Sequence, residues 1–410
     1  MNIIALSFAY LRYRFWNSFF NIMLLGLGIA TITIVLLLSR HLEDRLDKDA
    51  AGIDLVVGAK GSPLQLILSS VYHVDIPTGN IALSEAQTLM HHPQVKLAIP
   101  LALGDNYQGF RIVGTEPIFT SLYASALAAG RLWHKSMEVV IGADVATSAN
   151  MNIGNLFAGS HGLIPGGNTH ADHQYVVVGI MPKTGTVMDR LILTSVDSVW
   201  DIHEEEEHQE RAEMASHQHK HTMLETVSPQ HEITALLIKY RSPVAAMTLP
   251  RIINQRTQMQ AASPAFEVTR LFHVLGIGKE VLKAMGYGLM AFSLLSVWVA
   301  LTNTMRERRY DIALMRVLGA SRMRVSVQMI VEALLLVVSG VVLGQLIARI
   351  GLCVMAFWLR DVQYGLPLLY PLQIEEIWLN LALVVTAVMA ALYPAIQSYR
   401  VEVASLLRRT

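Results

Sequence analysis

A single cysteine, Cys353, stands in 410 residues, so no intrachain disulfide braces the fold and any water-soluble part must hold together on its own core. Neither sign of charge prevails: 32 Lys and Arg oppose 32 Asp and Glu, and a neutral total provides no global field to attract nucleic acid. Phosphate-binding loops are missing. Gly58-Ala59-Lys60-Gly61-Ser62 and Gly276-Ile277-Gly278-Lys279 both lack the G-x-x-x-x-G-K-S/T spacing that cradles a nucleotide. His-Glu-x-x-His is missing too, since His231-Glu232 is followed by Ile233-Thr234-Ala235, and a zinc protease therefore has little support. Charged residues make up only 16% against 53% hydrophobic, with a mean hydropathy of +0.41. That is too apolar for an ordinary soluble chain of this length. What remains is a membrane protein with a sizeable water-soluble part, no intrinsic cofactor and no catalytic motif of its own.

Four stretches are long and apolar enough to span a bilayer, at 18–39, 284–305, 325–359 and 377–396. Residues 1–17 carry Ile3, Leu6, Phe8 and Leu11 together with Arg12 and Arg14, the pattern of a helix lying at the membrane surface. A signal peptide is the alternative, but Ser39-Arg40-His41-Leu42-Glu43 offers no small-residue cleavage site, so the first span is expected to persist. With four spans, Arg12, Arg14, Arg306, Arg308, Arg309, Arg316, Arg322, Arg324, Arg400, Arg408 and Arg409 fall on one side. The loop 360–376 on the other side has only Arg360. Basic residues stay cytoplasmic, so both termini and the tail 397–410 are expected inside, and residues 40–283 outside.

Within the spans, Gly340 with Gly344 and Ala387 with Ala391 form small-xxx-small faces. These suit close helix packing, either between two copies of the chain or within one. Glu332, about two turns into the third span, requires a partner, and the cytoplasmic arginines are the expected one.

The segment 40–283 begins and ends with helical signals. Leu42 and Leu46 continue the face of the first span, with Arg40/Asp44, Asp44/Lys48 and Arg45/Asp49 as opposite-charge pairs at helical spacing. Leu271, Leu275, Lys279 and Leu282 make a comparable stripe before the second span. Two such extensions would form a stalk. Between them, strands are predicted at 53–58, 95–99, 110–113, 130–133, 138–142, 175–180, 190–193 and 232–239, and helices at 84–91, begun by Ser84, and at 244–258. The fold class is therefore an α-helical membrane protein of four transmembrane helices plus a large α+β extracytoplasmic domain.

Between the second and third spans lies the segment 306–324. Ile312, Met315, Val317 and Leu318 can be buried while Arg308, Arg309, Asp311 and Arg316 stay wet, so an amphipathic surface helix is expected. Gly319 suits its end and Ser321 the N-cap of the next helix. Here the sequence resembles the FtsX-like, MacB-type permeases of ABC transporters. The family block Glu-Arg-Arg-x-x-Ile-x-x-x-Arg-x-Leu-Gly-Ala-Ser is carried as Glu307, Arg308, Arg309, Ile312, Arg316, Leu318, Gly319, Ala320 and Ser321, followed by Glu332 to Leu335. Tyr393-Pro394-Ala395 and Ala404 to Arg408 resemble the family's ending, though Glu402 stands where proline is frequent. Gly130-Arg131, Glu138 to Gly142 and Val178-Gly179 match recurrent positions of its two-lobed, MacB-like periplasmic core domain. The stretch 57–80 is less familiar and reads as a specialised loop.

The resemblance implies a coupling helix that sits on a separate cytoplasmic ABC ATPase dimer, which binds the ATP and Mg. Glu307, Arg308, Arg309, Asp311, Ile312, Met315, Arg316, Leu318 and Gly319 are then the coupling residues. It also implies a second permease copy, residence in the bacterial inner membrane with the large domain in the periplasm, and mechanotransmission that exports or extracts material outside the membrane. A periplasmic adaptor, substrate-binding protein or lipoprotein would be the outer partner. Lipoprotein or lipid extraction, or regulation of a periplasmic enzyme without transport, are the alternatives.

A second chemical signal is the His- and Glu-rich run 201–231. His203, His208, His217, His219 and His221 among its carboxylates suit zinc or another borderline divalent ion, and His217 and His221 are four residues apart on one helical face. Such composition equally makes a solvated loop. Zinc binding here would link the permease to a metal-related task.

Overall fold

The computed structural model describes residues 3–13, 15–123, 126–162, 169–202, 231–307, 321–358 and 372–399. The chain divides into two compact units, one of residues 1–41 with 275–410 and the other of residues 42–274.

In the first unit lie α1 (Ile3–Tyr13), most of α2 (Phe15–Asp49) and of α7 (Pro264–Glu307), α8 (Arg322–Trp358) and α9 (Ile374–Tyr399). Helices α2, α7, α8 and α9 are long and apolar enough to cross a membrane. Helix α2 packs against both α7 and α8, and glycines set how closely. A Cβ on Gly344 would come within 2.7 Å of the Gly26 carbonyl oxygen, and one on Gly28 within 3.1 Å of the Gly286 carbonyl oxygen. Leu25, Ile29 and Ile32 of α2 meet Met290, Val337, Leu383 and Ala387 in one buried cluster. A second cluster joins Val297, Ala333, Leu336 and Ala391, with Leu11 of α1 against it.

Helix α1 thus does more than lie along a surface. Ser7 of α1 is fully buried and its hydroxyl donates to the Gln328 carbonyl of α8 at 3.5 Å, while Phe8 and Tyr13 stay exposed. The expected Arg40/Asp44 pair gives way to another: Arg40 Nη1 reaches Glu375 Oε1 on α9 at 2.6 Å, because the first turn of α9 offers a carboxylate from a neighbouring helix.

The second unit is built on one mixed sheet. Its strands are β1 (Leu55–Ala59), β3 (Val95–Tyr107), β4 (Phe110–Thr115), β5 (Ala129–Gly130), β6 (Glu138–Ile141), β7 (Leu156–His161), β8 (Thr169–Ile180), β9 (Leu191–Thr194), β11 (Ala235–Tyr240) and β12 (Met259–Ala262). Their order is β12-β1-β11-β3-β4-β9-β6-β8-β5, with β7 bridging β3 and β8. A separate ribbon pairs β2 (Ile81–Ala82) with β10 (Glu232–Ile233).

Strands alternate between two faces. Leu55, Val57, Leu236 and Ile238 face a core covered by α4 (Leu83–Met90) and α6 (Pro243–Arg256). Val56, Ala235 and Leu237 face a second core that holds Leu66 and Ile67 of α3 (Pro63–Ser70), with Leu46 of α2 and Val268 and Phe272 of α7. A third core, under α5 (Ala143–Ser148), gathers Ile112, Val139, Ile141, Tyr175, Val177 and Ile192.

Several sequence expectations shift. Helix α4 starts at Leu83 with Ala82 at its N-cap, because the Leu83 N–H bonds the His231 carbonyl at 2.9 Å and carries the β2–β10 pairing into the first turn. The strand expected at 130–133 is shortened to Ala129–Gly130; the Arg131 N–H still bonds the Val178 carbonyl at 3.0 Å, while its side chain turns to the Glu138 carboxylate in a two-bond pair. The strand at 232–239 breaks at Thr234, whose hydroxyl accepts the Leu103 N–H at 3.0 Å. The stretch 57–80 contains α3, capped by Ser62 and opened by Pro63.

Candidate functional site

Of the coupling residues, Glu307 closes α7, whereas Arg308, Arg309, Asp311, Ile312, Met315, Arg316, Leu318 and Gly319 lie outside the described residues. Past them, the Ser321 hydroxyl accepts the Arg324 N–H at 3.3 Å, which begins α8 with a side-chain cap. His203, His208, His217, His219 and His221 also lie outside the described residues. Around them, residues 196–202 are helical, and the His231 ring meets the Trp200 ring at 4.3 Å. Among the described residues, no group of three or more His, Cys, Asp or Glu is arranged to hold a metal ion.

Gly340 and Gly344 face α2 of the same chain, against Leu25, Gly26 and Ile29. Ala387 and Ala391 are buried in the clusters that α9 shares with α2, α7 and α8. Glu332 is buried. All four small residues pack against helices of the same chain.

Sequence reasoning missed the carboxylates that open α9. Glu376 is fully buried and pairs with Arg349 of α8, Nη2 to Oε2 at 3.0 Å, while Arg349 also bonds Gln345. Gln345 in turn reaches the Thr33 hydroxyl of α2 at 3.4 Å. The adjacent Glu375 takes Arg40 of α2. Consecutive residues on a helix point about 100° apart, so this acidic pair holds two different helices at once. The signal was present in the sequence as Glu375-Glu376 at the head of the last apolar run.

In the second unit, a cleft of about 520 Å³ lies between α4, the loop 133–136 and the helical segment 196–202, lined by Leu83, Met90, Trp133, Lys135, Asp197 and Trp200. One wall is fixed by Glu138. Its carboxylate accepts both terminal nitrogens of Arg131 at 2.6 Å and the backbone N–H of His134 at 2.9 Å, and these bonds hold it down at about 2. The opposite wall is fixed by Ser198, whose buried hydroxyl accepts the Met137 N–H at 2.9 Å and the Thr194 hydroxyl at 2.8 Å. The glycines of Gly58-Ala59-Lys60-Gly61-Ser62 have a packing reason: a Cβ on Gly58 would come within 2.5 Å of Leu66, and one on Gly61 within 2.9 Å of Thr78.

Comparison with known proteins matches residues 283–403 to the FtsX-like permease C-terminal family and residues 18–249 to the MacB-like periplasmic core domain. Among solved structures, the periplasmic region of MacB from Actinobacillus actinomycetemcomitans is 14% identical, covering 57% of this chain and 97% of that one at a TM-score of 0.34. The extracellular domain of the noncanonic ABC-type transporter YknZ from Gram-positive bacteria is 11% identical, covering 52% of this chain and 99% of that one at a TM-score of 0.30. No curated protein matches. The periplasmic-core match alone takes in more than half of the sequence, and the permease match begins beyond it at the second span: the chain belongs to the MacB/FtsX-type permeases of ABC transporters.

Proposed function

We propose that this permease converts the nucleotide cycle of a separate cytoplasmic ATPase dimer into movement of its outer domain, working as a pair of copies in the inner membrane with both termini in the cytoplasm. The observation that carries this reading is helix length. Helices α2 and α7 run for 35 and 44 residues, about 52 and 66 Å at 1.5 Å per residue, against roughly 30 Å of hydrocarbon. Each is long enough to transmit displacement beyond the bilayer. Glu307, Arg308, Arg309, Asp311, Ile312, Met315, Arg316, Leu318 and Gly319 form the docking element: its apolar face anchors in the permease and its charged face meets the ATPase.

Gly319→Val tests the assignment, since a β-branched side chain opposes the positive φ of a helix end. The variant should still bind the ATPase but lose transport-linked ATP hydrolysis; retention of normal coupled activity would refute it. Zinc binding by His203, His208, His217, His219 and His221 is a further part of the reading, supported by their density in a short run. Zinc titration of the full chain against a deletion of 204–229 is the check. That deletion spares Ser198, which the cleft needs, and equal uptake by both proteins removes the metal role.

A further inference from the structure

The end of α2 and the start of α7 enter the second unit in different ways. Asp49, the last residue of α2, is buried, and its Oδ1 accepts the Val187 N–H at 2.6 Å. The Tyr123 hydroxyl donates to the Asp49 carbonyl at 2.9 Å, and the Tyr72 hydroxyl to the Leu46 carbonyl at 3.2 Å. The Asp49 carbonyl, at the helix end where no intrahelical donor follows, is thus satisfied by Tyr123, and the Leu46 carbonyl, already bonded by the Ala50 N–H at 3.0 Å, takes Tyr72 as a second donor.

The acceptor turn is itself rigid. The Asp189 carboxylate, also buried, takes the Thr184 N–H and the Gly185 N–H, each at 2.7 Å, and the Thr184 hydroxyl at 2.8 Å. Gly185 provides the positive φ of +72° that the turn requires. This turn joins β8 to β9, the strands that bring Tyr175, Val177 and Ile192 to the third core.

Over 264–274, helix α7, which follows β12 after Ser263 alone, shows no side-chain joint of this kind among the described residues. It is held there by Val268 and Phe272 in an apolar cluster, and among the described residues its hydrogen bonds and its Glu267–Arg270 pair there stay within the helix or at its first turn. Directional bonds hold an element in one orientation; apolar contact is non-directional and lets packed surfaces slide.

We infer that Asp49 is the positioning residue that hands the movement of α2 to the turn 184–190, and so to the strands behind it, while α7 slips against its apolar seat. This rests on the permease reading above. The joint is tested by distance measurement between spin labels on the full-length protein carrying Cys353→Ser, with one pair at Lys48→Cys and Thr147→Cys and another at Thr269→Cys and Thr147→Cys. Without nucleotide, the first pair should give a narrow distribution that Asp49→Ala broadens and Asp49→Asn, which keeps the acceptor oxygen, restores. An Asp49→Ala distribution as narrow as that of the parent overturns the inference.

With the ATPase bound, ATP and vanadate should shift the second pair and leave the first unchanged. A first pair that moves while the second stays fixed reverses the roles of the two helices and also overturns it. If neither pair nor the Lys48–Thr269 spacing responds to nucleotide, the ATPase-coupled reading fails, whereas the nucleotide-free comparison still decides the joint.

Discussion

Gly344 of α8 lies against Gly26 of α2 so closely that a Cβ would approach the Gly26 carbonyl oxygen to 2.7 Å and Ile29 Cβ to 2.7 Å. The obstacle includes backbone, which cannot rotate away. Gly344→Ala should therefore destabilise the bundle by about 1–3 kcal/mol, the usual cost of overpacking. Gly288→Ala, at a helical position with nothing within 4 Å, should instead gain up to about 1 kcal/mol of helix propensity. Thermal unfolding in detergent distinguishes the two, and equal effects would contradict the packing argument.

The two ion pairs of α9 should differ in worth. Arg349→Met strands the fully buried Glu376 and should cost about 3–5 kcal/mol, as breaking a buried pair does. Arg40 and Glu375 are each about half exposed, at 51% and 47%, so Arg40→Met should cost below about 1 kcal/mol. Comparable unfolding midpoints for the two variants would refute this ranking.

Stability of the outer domain should fall in mild acid because of His73. Burial, reinforced by the nearby Arg111 and Arg190 guanidinium groups, pulls this imidazole down to about 3. The folded value lies below the unfolded value near 6.5, so the unfolded chain takes up a proton that the native state refuses. Stability is complete above about 6.5 and declines as pH drops from there towards 3. Asn tolerates the φ of +53° at this position, and His73→Asn should flatten the slope when Trp fluorescence of the full-length protein is followed across that window. An unchanged slope would remove His73 from the account.

Glu138 acts in a lower window. Its carboxyl is depressed to about 2 from an ordinary 4.5, so its contribution is complete above about 4.5 and lost as pH falls towards 2. Glu138→Gln should weaken the loop 131–137 by on the order of 1 kcal/mol, since Arg131 is half exposed and screened. Proteolysis within that loop should rise at neutral pH, and resistance equal to the parent's would count against the role.

The amino-acid sequence alone determined the four apolar spans, most strands of the outer domain and the family block around Gly319, because burial period, span length and local spacing are one-dimensional properties. It could state that Gly340, Gly344, Ala387 and Ala391 make small faces, but not what they meet. Tertiary structure decided which helices of the same chain they meet, that Arg40 reaches Glu375 and not Asp44, and that Asp49, while still beside Arg45, closes α2 on the Val187 N–H. Each of these depends on partners brought together from more than 100 positions away along the chain. Local pattern carries no record of such partners, since only the packed fold sets which carboxylate or carbonyl a side chain can reach.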